Sequence, residues 1–456
     1  MARKVTYLPK VVFLCSPSLA IIDSWLPILH GLRRANPGTE FIFLAPRARE
    51  IDAIQTDSLL FKLANELFDR VVFRSESGAW LESNSLEGAK IVRGQELDYR
   101  VRTSFRRFGL GSKASRYVTA LLMAIQGVGK RASRSPKVCS LLSLHSERSV
   151  LLFDVDVVKK NWAPKLMPCF RSIRKFSLSH GLTVKLGNFD GPPLEAVKSV
   201  TDNTKVFVLS EIERKYHEQR YILPESAVDV VGVPRHEAEW VNFVQGINEL
   251  EEPIPHQRYI FVASTPVNGA YLPRDRKLRA LMDIRDVAEK HKLHVVVKRH
   301  PKEHFDGTFE EVFGERNLGV TWSLSNAHPF FLGKNAFFAV VFGGSVAVDM
   351  IRLGTPVIGI LDLANLPAYD TPEALRNSRG EPVFAPSFLG LLLGASNREQ
   401  FNEHVESIMR DREGCVSRLM DNYISVYPDP KGSNKKIVSE ISLVLQRKKG
   451  GEAGLL

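Results

Sequence analysis

Short apolar runs alternate with amphipathic stretches along most of the chain. In the first half, runs rich in Val, Leu and Phe predict buried strands at residues 11–14, 40–44, 70–73, 149–153, 175–178, 205–209 and 228–231. Between them, apolar positions spaced along one helix face predict helices at residues 21–34 and 211–219. Strands separated by helices of this length are typical of βαβ units, so we expect an α/β fold with a mostly parallel sheet.

The alternation breaks at residues 248–258, where acidic residues and prolines interrupt it, and then restarts. Further strands are predicted at residues 259–263, 294–298, 319–321, 336–341 and 356–360, and helices at about 277–290, from Ser345 and from about 398 onward. Two Rossmann-like domains with a ligand cleft between them are therefore expected. Their predicted division is an amino-terminal domain at 1–247, a linker at 248–258, a carboxy-terminal domain at 259–425, and a helix and tail at 426–456.

Composition and cysteine spacing indicate the cellular compartment in which the protein is expected. The chain is 44% hydrophobic and 25% charged, as expected for a soluble globular protein. Its four cysteines are widely spaced and form no Cys-x-x-Cys pair, so neither a zinc site nor a disulfide framework is indicated. The apolar run near the amino terminus is broken by Ser16 and Pro17, and no run reaches the roughly 18 residues of a membrane span. We therefore expect a cytoplasmic protein in a reducing compartment.

The net charge of +11 is concentrated in one segment. Residues 100–137 carry many Lys and Arg, and no acidic residue lies between Asp98 and Glu147. A basic stretch interrupted by apolar residues suits an anionic membrane surface, so an insertion at about 98–146 could make a peripheral contact with the inner face of the plasma membrane. The alternative is an insertion whose helix packs on the first domain. Because the rest of the chain is nearly neutral, no nucleic-acid partner is expected.

Two stretches of the second half place polar groups at predicted strand ends. Lys298, Arg299 and His300 follow the strand at 294–298, where ligands of parallel sheets bind. Phe342 ends another strand before Gly343, Gly344 and Ser345, an arrangement in which backbone N–H groups and a helix start receive a phosphate; Asp349 follows one helical turn later. The alternatives are a solvated basic loop and an ordinary strand–helix connection. A metal pair of His300 and His304 is not expected, because Pro301 interrupts any helix between them.

Two stretches of the first half also place polar groups at predicted strand ends. His180 and Gly181 follow the strand at 175–178, with Lys185 shortly after, and Arg235 follows the strand at 228–231 on a Gly-x-Pro-Arg turn. A turn that merely needs a glycine, or a surface arginine, would look similar. Asp154 and Asp156 lie on one face of a further strand end, where they could bind an acceptor. The alternative is a strand-end pair whose hydrogen bonds are satisfied within the fold.

These four stretches resemble the CDP-glycerol glycerophosphotransferases, the teichoic-acid polymerases and their capsule-assembly relatives. The matching motifs are His-Gly-x-x-x-Lys (His180, Gly181, Lys185), Gly-x-Pro-Arg (Gly232, Pro234, Arg235), Lys-x-His-Pro (Lys298, His300, Pro301) and Ser-x-x-x-Asp before Gly-x-Pro-Val (Ser345, Asp349, Gly354, Pro356, Val357). The resemblance implies a GT-B architecture, with a nucleotide-activated donor bound mainly by the second domain and a hydroxyl acceptor.

The chain departs from the family pattern at two places. Phe342, Gly343, Gly344 and Ser345 stand where the family has Asp-x-Ser-Ser, and Val184 stands where a proline commonly precedes the lysine. The double glycine is also similar to nucleotide-sugar enzymes of GT-B architecture, including UDP-GlcNAc 2-epimerases. A sugar donor is therefore an alternative to a glycerol-phosphate donor, whereas the expected fold is the same for both.

The expected function is a cytoplasmic GT-B transferase that moves a sugar or polyol phosphate from a nucleotide-linked donor to a polysaccharide or lipid-linked acceptor. His180 would be the general base, because an imidazole exchanges protons near neutral pH. His300 would be a second catalytic residue that, with Lys298 and the helix start at Ser345, stabilises the charge developing on the leaving phosphate. The donor and its phosphates would be bound by Lys298, Arg235, Gly343, Gly344, Ser345 and Asp349, and Gly181 and Lys185 would lie on the acceptor side. No metal or cofactor is expected. The alternatives are a nucleotide-sugar epimerase and a non-catalytic protein that binds anionic polymers.

Overall fold

The computed structural model describes residues 8–15, 19–47, 49–75, 79–89, 138–144, 148–155, 166–180, 202–221, 223–249, 258–267, 272–303, 307–361, 376 and 380–447. The basic residues 100–137, Gly181 and Lys185 lie outside these ranges, so the roles expected for them stay predictions.

An eight-stranded sheet occupies the first half of the chain, in the order β4-β3-β2-β1-β5-β6-β7-β8. Its strands are β1 (Lys10–Leu14), β2 (Glu40–Ala45), β3 (Arg70–Arg74), β4 (Trp80–Ser83), β5 (Ser149–Phe153), β6 (Arg174–Leu178), β7 (Thr204–Val208) and β8 (Val228–Val230). All neighbours are parallel except β4, which pairs antiparallel at one edge. The predicted strands of this half are confirmed to within one residue at each end, and β4 was not predicted.

A six-stranded sheet occupies the second half, in the order β11-β10-β9-β12-β13-β14, and all of its neighbouring strands are parallel. Its strands are β9 (Tyr259–Ala263), β10 (His294–Lys298), β11 (Trp322–Leu324), β12 (Phe338–Val341), β13 (Val357–Ile360) and β14 (Leu393–Ala395). The prediction of a strand at 319–321 is wrong. Gly319 has a φ of +79°, and its N–H donates to the carbonyl of Trp322, which closes a turn just before β11.

Helices flank both sheets. Those of the first half are α1 (Leu19–Ala35), α2 (Arg49–Gln55), α3 (Ser58–Leu67), α4 (Val138–Leu142), α5 (Glu211–Tyr221) and α6 (Ala238–Glu249). Those of the second half are α7 (Arg274–His291), α8 (Thr308–Phe313), α9 (Pro329–Lys334), α10 (Val346–Arg352), α11 (Ala385–Phe388), α12 (Arg398–Arg410), α13 (Arg412–Val426) and α14 (Ser433–Leu445). Helices cover both faces of each sheet, so central strands such as β1, β5, β9 and β10 are buried along their whole length.

The last helix returns to the first domain. Helix α14 packs on α1, where the Asn36 side chain donates to Ser442 Oγ over 2.8 Å and accepts from Gln446 Nε2 over 3.0 Å. Arg148 Nε, just before β5, donates to the carbonyl of Leu445 over 3.2 Å. The chain therefore passes between the two halves twice, once at residues 248–258 and once between α13 and α14. One apolar cluster runs across both halves, from Phe13 and Trp25 to Tyr427.

Two cysteines contradict the expectation that no disulfide is present, which was also the ground for expecting a reducing compartment. Cys139 on α4 and Cys169 in the turn before β6 form a disulfide, with their Cα atoms 5.2 Å apart. Their separation of 30 residues gave no sign of this, because the pairing depends on α4 packing beside that turn. Cys15 and Cys415 are buried free thiols. Among the described residues, no helix combines the length and the apolar character needed to cross a membrane.

Candidate functional site

A cavity of about 470 Å³ lies between the carboxyl ends of the two sheets. Its walls come from both halves of the chain: α1, α3 and the strand ends at His180 and Arg235 on one side, and the ends of β9, β10 and β12 on the other. The volume lies in the range of small-molecule sites. Of the predicted site residues, those lining the cavity are His180, Arg235, Lys298, His300, Gly343, Gly344, Ser345 and Asp349.

His180 faces the cavity directly after β6. Its Nδ1 is hydrogen-bonded to a carboxylate oxygen of Asp154, which follows the neighbouring strand β5 and is buried. The two side chains meet because β5 and β6 are parallel and in register, so their carboxyl ends lie side by side. A carboxylate only accepts hydrogen bonds, so Asp154 holds the imidazole proton on Nδ1 and places the lone pair on Nε2. The His180 side chain is 25% exposed, on the cavity side.

Ser179 supports the same strand end from behind. Its hydroxyl lies 3.1 Å from Nε2 of the fully buried His217 on α5. The contact between Ser179 and His217 therefore anchors the backbone just before His180, while Asp154 sets the orientation of the His180 ring.

Arg235 is 3% exposed and bridges two carboxylates. Its Nη1 lies 2.8 Å from Asp23 Oδ2 on α1, and its Nη2 lies 2.8 Å from Asp349 Oδ1 on α10. Burial by itself lowers the pKa of Arg235, but Asp349 and Asp23 outweigh that effect and raise it. For Asp23, burial raises the pKa, and the neighbouring His328 and Arg235 lower it to about 2. The predicted phosphate ligands Arg235 and Asp349 thus form one buried ion-pair group.

His236 extends this group into the second half of the chain. Its Nε2 lies 2.7 Å from Asp349 Oδ1, and its Nδ1 lies 3.0 Å from the Tyr423 hydroxyl on α13. Burial lowers the pKa of His236, more than Asp349 raises it. His328 Nε2 lies 3.1 Å from Asp23 Oδ1 across the same interface. Sequence reasoning missed Asp23, His236 and His328; His236 directly follows the Gly-x-Pro-Arg turn, which was the one available signal.

Lys298 ends β10 and donates to three oxygens. Its Nζ lies 3.0 Å from Asp57 Oδ2, 3.0 Å from the Asn326 carbonyl and 2.8 Å from the Ala327 carbonyl. An ammonium has three N–H donors, so a phosphate bound by Lys298 would have to displace one of these acceptors. Phosphate binding by Lys298 stays a prediction.

His300 lines the cavity two residues later. Burial, followed by the charges of Lys302 and Lys277, lowers its pKa to about 4. The Lys302 N–H donates to Nδ1 over 3.0 Å, so the neutral ring carries its proton on Nε2. Glu303 accepts the His300 backbone N–H over 3.1 Å and is itself paired with buried Lys277. At neutral pH, His300 is therefore a fixed hydrogen-bond donor rather than a cation.

The Gly343–Gly344 turn lines the same cavity as His180. Both residues have φ near +100°, at +102° and +98°, which side chains rarely adopt. A Cβ on Gly344 would meet no atom within 4 Å, so the backbone there borders open space. Ser345 precedes α10 without a side-chain cap. The turn can admit a ligand group close to its main chain.

The described residues contain no group of three or more His, Cys, Asp or Glu that could hold a metal ion. A reaction without a metal stays a prediction.

Comparisons with known proteins define the fold class. No family model matches the sequence, and no curated protein sequence is similar to it. The fold is similar to a putative UDP-N-acetylglucosamine 2-epimerase from Listeria monocytogenes, with a TM-score of 0.53, 9% identity, and 97% of this chain and 99% of that one covered. It is also similar to the wall teichoic acid polymerase TagF, with a TM-score of 0.52, 10% identity, and coverage of 96% and 89%.

A third similar structure is the UDP-GlcNAc 2-epimerase from Neisseria meningitidis bound to UDP-GlcNAc, with a TM-score of 0.50, 11% identity, and coverage of 95% and 99%. The protein therefore has a GT-B-like fold, as the resemblance implied. At these identities the similarity extends to the fold and not to a particular reaction.

Proposed function

We propose that this protein is an enzyme of GT-B fold that transfers a sugar or polyol phosphate from a nucleotide-activated donor to a hydroxyl of a cell-surface polysaccharide or teichoic-acid-like acceptor. The observation that carries the proposal is the His180–Asp154 pair, whose His180 lines one cavity together with His300 and the Gly343–Gly344 turn. A base on one wall and hydrogen-bond donors on the other are what a displacement with an anionic leaving group requires.

His180 is the general base in this proposal. Nε2 takes the proton of the acceptor hydroxyl as its oxygen attacks the donor, and Asp154 stabilises the imidazolium that forms. The bond between the transferred group and the nucleotide phosphate breaks, and the nucleotide leaves with the electron pair. Asp154 acts through His180 and is a positioning residue.

The opposite wall receives the leaving nucleotide. The Nε2–H of His300 and the main-chain N–H groups of Gly344 and Ser345 would donate to its phosphates. The His300 ring is held in place before the nucleotide-linked substrate binds, because Glu303 accepts the His300 backbone N–H and the Lys302 N–H donates to Nδ1. Arg235 and Asp349 also line the cavity, but Arg235 is already paired with Asp23 and Asp349, so a phosphate bound by Arg235 would have to displace one of these carboxylates.

A nucleotide-release assay tests the proposal. Purified protein would be screened by thermal shift with CDP-, UDP-, CMP- and GDP-linked donors, and each stabilising donor would be incubated with and without polysaccharide or lipid-linked acceptors. Free nucleotide that appears only with an acceptor supports a transferase. Absence of both binding and release across the panel would overturn the proposal.

A nucleotide-sugar epimerase is the second candidate, favoured by the double glycine at 343–344. Such an enzyme would convert its nucleotide sugar without any acceptor, which the same assay detects by chromatography of the sugar. The carboxylates that line the cavity, Asp23, Asp57 and Asp349, are each engaged by a Lys, Arg or His side chain. Because they are already paired, they serve less readily as acid–base groups, and this favours transfer.

The location follows from the acceptor. A lipid-linked acceptor would be presented at the cytoplasmic face of the membrane, and the basic residues 100–137 would provide a peripheral contact with anionic lipids there.

A further inference from the structure

One ion pair joins the two walls of the cavity. Asp57 belongs to the amino-terminal half and Lys298 to the carboxy-terminal half, and both side chains line the cavity. Asp57 is 1% exposed and Lys298 is 9% exposed. The 3.0 Å contact between Asp57 Oδ2 and Lys298 Nζ is therefore a buried ion pair between the two halves of the chain. One of these halves carries His180 and the other carries His300.

Each partner is held in place by its own half of the chain. Asp57 is the N-cap of α3, and its Oδ1 accepts the Leu60 N–H over 3.0 Å, which leaves Oδ2 for Lys298. The other two donors of Lys298 are committed to the carbonyls of Asn326 and Ala327, within its own half. Of these three hydrogen bonds of Lys298, the one to Asp57 is therefore the one that crosses between the halves.

The pair differs from the Arg235 group in this respect. Arg235 contacts Asp23 in its own half and Asp349 in the other, and His236 and Tyr423 continue the group across the interface. Several side chains from both halves therefore take part in the Arg235 group. The Lys298–Asp57 pair, at another wall, is a single contact and is the more easily opened of the two.

We propose that Asp57 is a positioning residue: by holding Lys298, it keeps the His300 loop at its working distance from His180. In this proposal, the effect of Asp57 on the reaction passes through Lys298 and β10. The consequence for catalysis rests on the function proposed above, whereas the consequence for the spacing of the two halves does not.

The test removes the charge of Asp57 and keeps its cap. Asn is as good an N-cap as Asp, so Asp57→Asn retains the acceptor for Leu60 and loses only the ionic contact with Lys298. Asp411→Asn is the matched control, because Asp411 caps α13 in the same way through the Gly414 N–H and is exposed. Lys298→Met removes the other partner, and the double variant closes the cycle.

Spin labels at the exposed Glu66→Cys and Glu399→Cys positions report the spacing of the halves, since Cys15 and Cys415 are buried. We expect a longer and broader distance distribution in Asp57→Asn and in Lys298→Met, no added change in the double variant, and no change in Asp411→Asn. An unchanged distance in Asp57→Asn, or the same change in Asp411→Asn, would overturn the proposal whether or not the protein is a transferase.

Nucleotide binding supplies the second measurement. UDP and CDP would be titrated calorimetrically into wild type and each variant. Because apparent affinity falls with the fraction of protein in the competent arrangement, we expect at least about a threefold rise in Kd in Asp57→Asn. With a turned-over donor, KM should rise by a similar factor while kcat stays within about twofold. A fall in thermal stability with unchanged Kd, KM and kcat would assign Asp57 a structural role only, and a lower Kd in Asp57→Asn would show that Asp57 competes with phosphate for Lys298; either result would overturn the proposal.

Discussion

His180 and Asp154 are 26 residues apart in the chain and share a hydrogen bond across adjacent strand ends. The pair converts a histidine at a turn into an oriented base. Replacing His180 by Ala should lower turnover at least about a hundredfold and leave donor affinity nearly intact. Steady-state rates and donor titration would measure this. Collapse of donor binding, or survival of activity, would show that His180 is not the base.

Asp154→Asn should also reduce kcat, by about tenfold to a thousandfold, because an amide can donate to Nδ1 and so favours the wrong tautomer. Donor Kd should be unchanged, because Asp154 acts on the orientation of His180 and not on the donor. A kcat equal to that of wild type would mean that the pair does not orient the base.

His300 should make stability depend on pH. Its folded pKa is about 4 against an ordinary value of 6.5, so below about pH 6.5 the unfolded chain binds a proton that the folded chain does not. Stability is therefore lost as pH falls from 6.5 toward 4, by about 2 kcal/mol between pH 7 and pH 5. Denaturant unfolding of wild type and His300→Gln would measure it: the variant should lose less stability over this interval. Parallel losses would refute the assignment.

The Arg235 group should be sensitive to the loss of its cation. Arg235→Met leaves Asp23 and Asp349 buried without their shared partner, and should cost about 3–5 kcal/mol of unfolding free energy. Arg279→Met is the control, because its ion pair with Asp275 is exposed and should contribute less than about 1 kcal/mol. Equal effects of the two substitutions would mean that the buried group does not hold the interface.

The Cys139–Cys169 disulfide should resist alkylation and stabilise the first domain. A cross-link over 30 residues is worth about 2–4 kcal/mol, chiefly by restricting the unfolded chain. Cys139→Ser with Cys169→Ser should lower the unfolding free energy by that amount, and peptide mass spectrometry without reductant should recover the linked pair. Free alkylation of both cysteines in native protein would contradict the pairing.

Much of the fold could be predicted because central strands of parallel sheets are continuous apolar runs. The runs at 149–153 and 294–298 match β5 and β10 residue for residue, since each has a continuous apolar centre, at 150–153 and 295–297, that is buried on both faces. The edge strands β4 and β14 escaped prediction because they are short and partly exposed. At β11, a turn built on Gly319 displaced the strand by three residues.

The site was only partly predictable for a similar reason. His180, Arg235, Lys298 and His300 share a cavity because each follows a strand whose carboxyl end faces the cleft. Their partners Asp23 and Asp57 belong to helices α1 and α3. No local pattern encodes which helix approaches which strand end across an interface. The predicted phosphate ligands Lys298 and Asp349 therefore turned out to have protein partners that the sequence did not disclose.

The return of α14 to the first domain limits how the cleft can open. A body tethered at one point can swing in any direction, whereas one tethered at two points can only rotate about the line that joins them. The second tether is tight: the Pro428 carbonyl and Pro430 press against Gly232, where a Cβ would come within 2.7 Å of the carbonyl oxygen. We therefore expect opening of the cleft to be a hinge-like rotation, which would carry the His300 wall toward and away from the His180 wall along one arc.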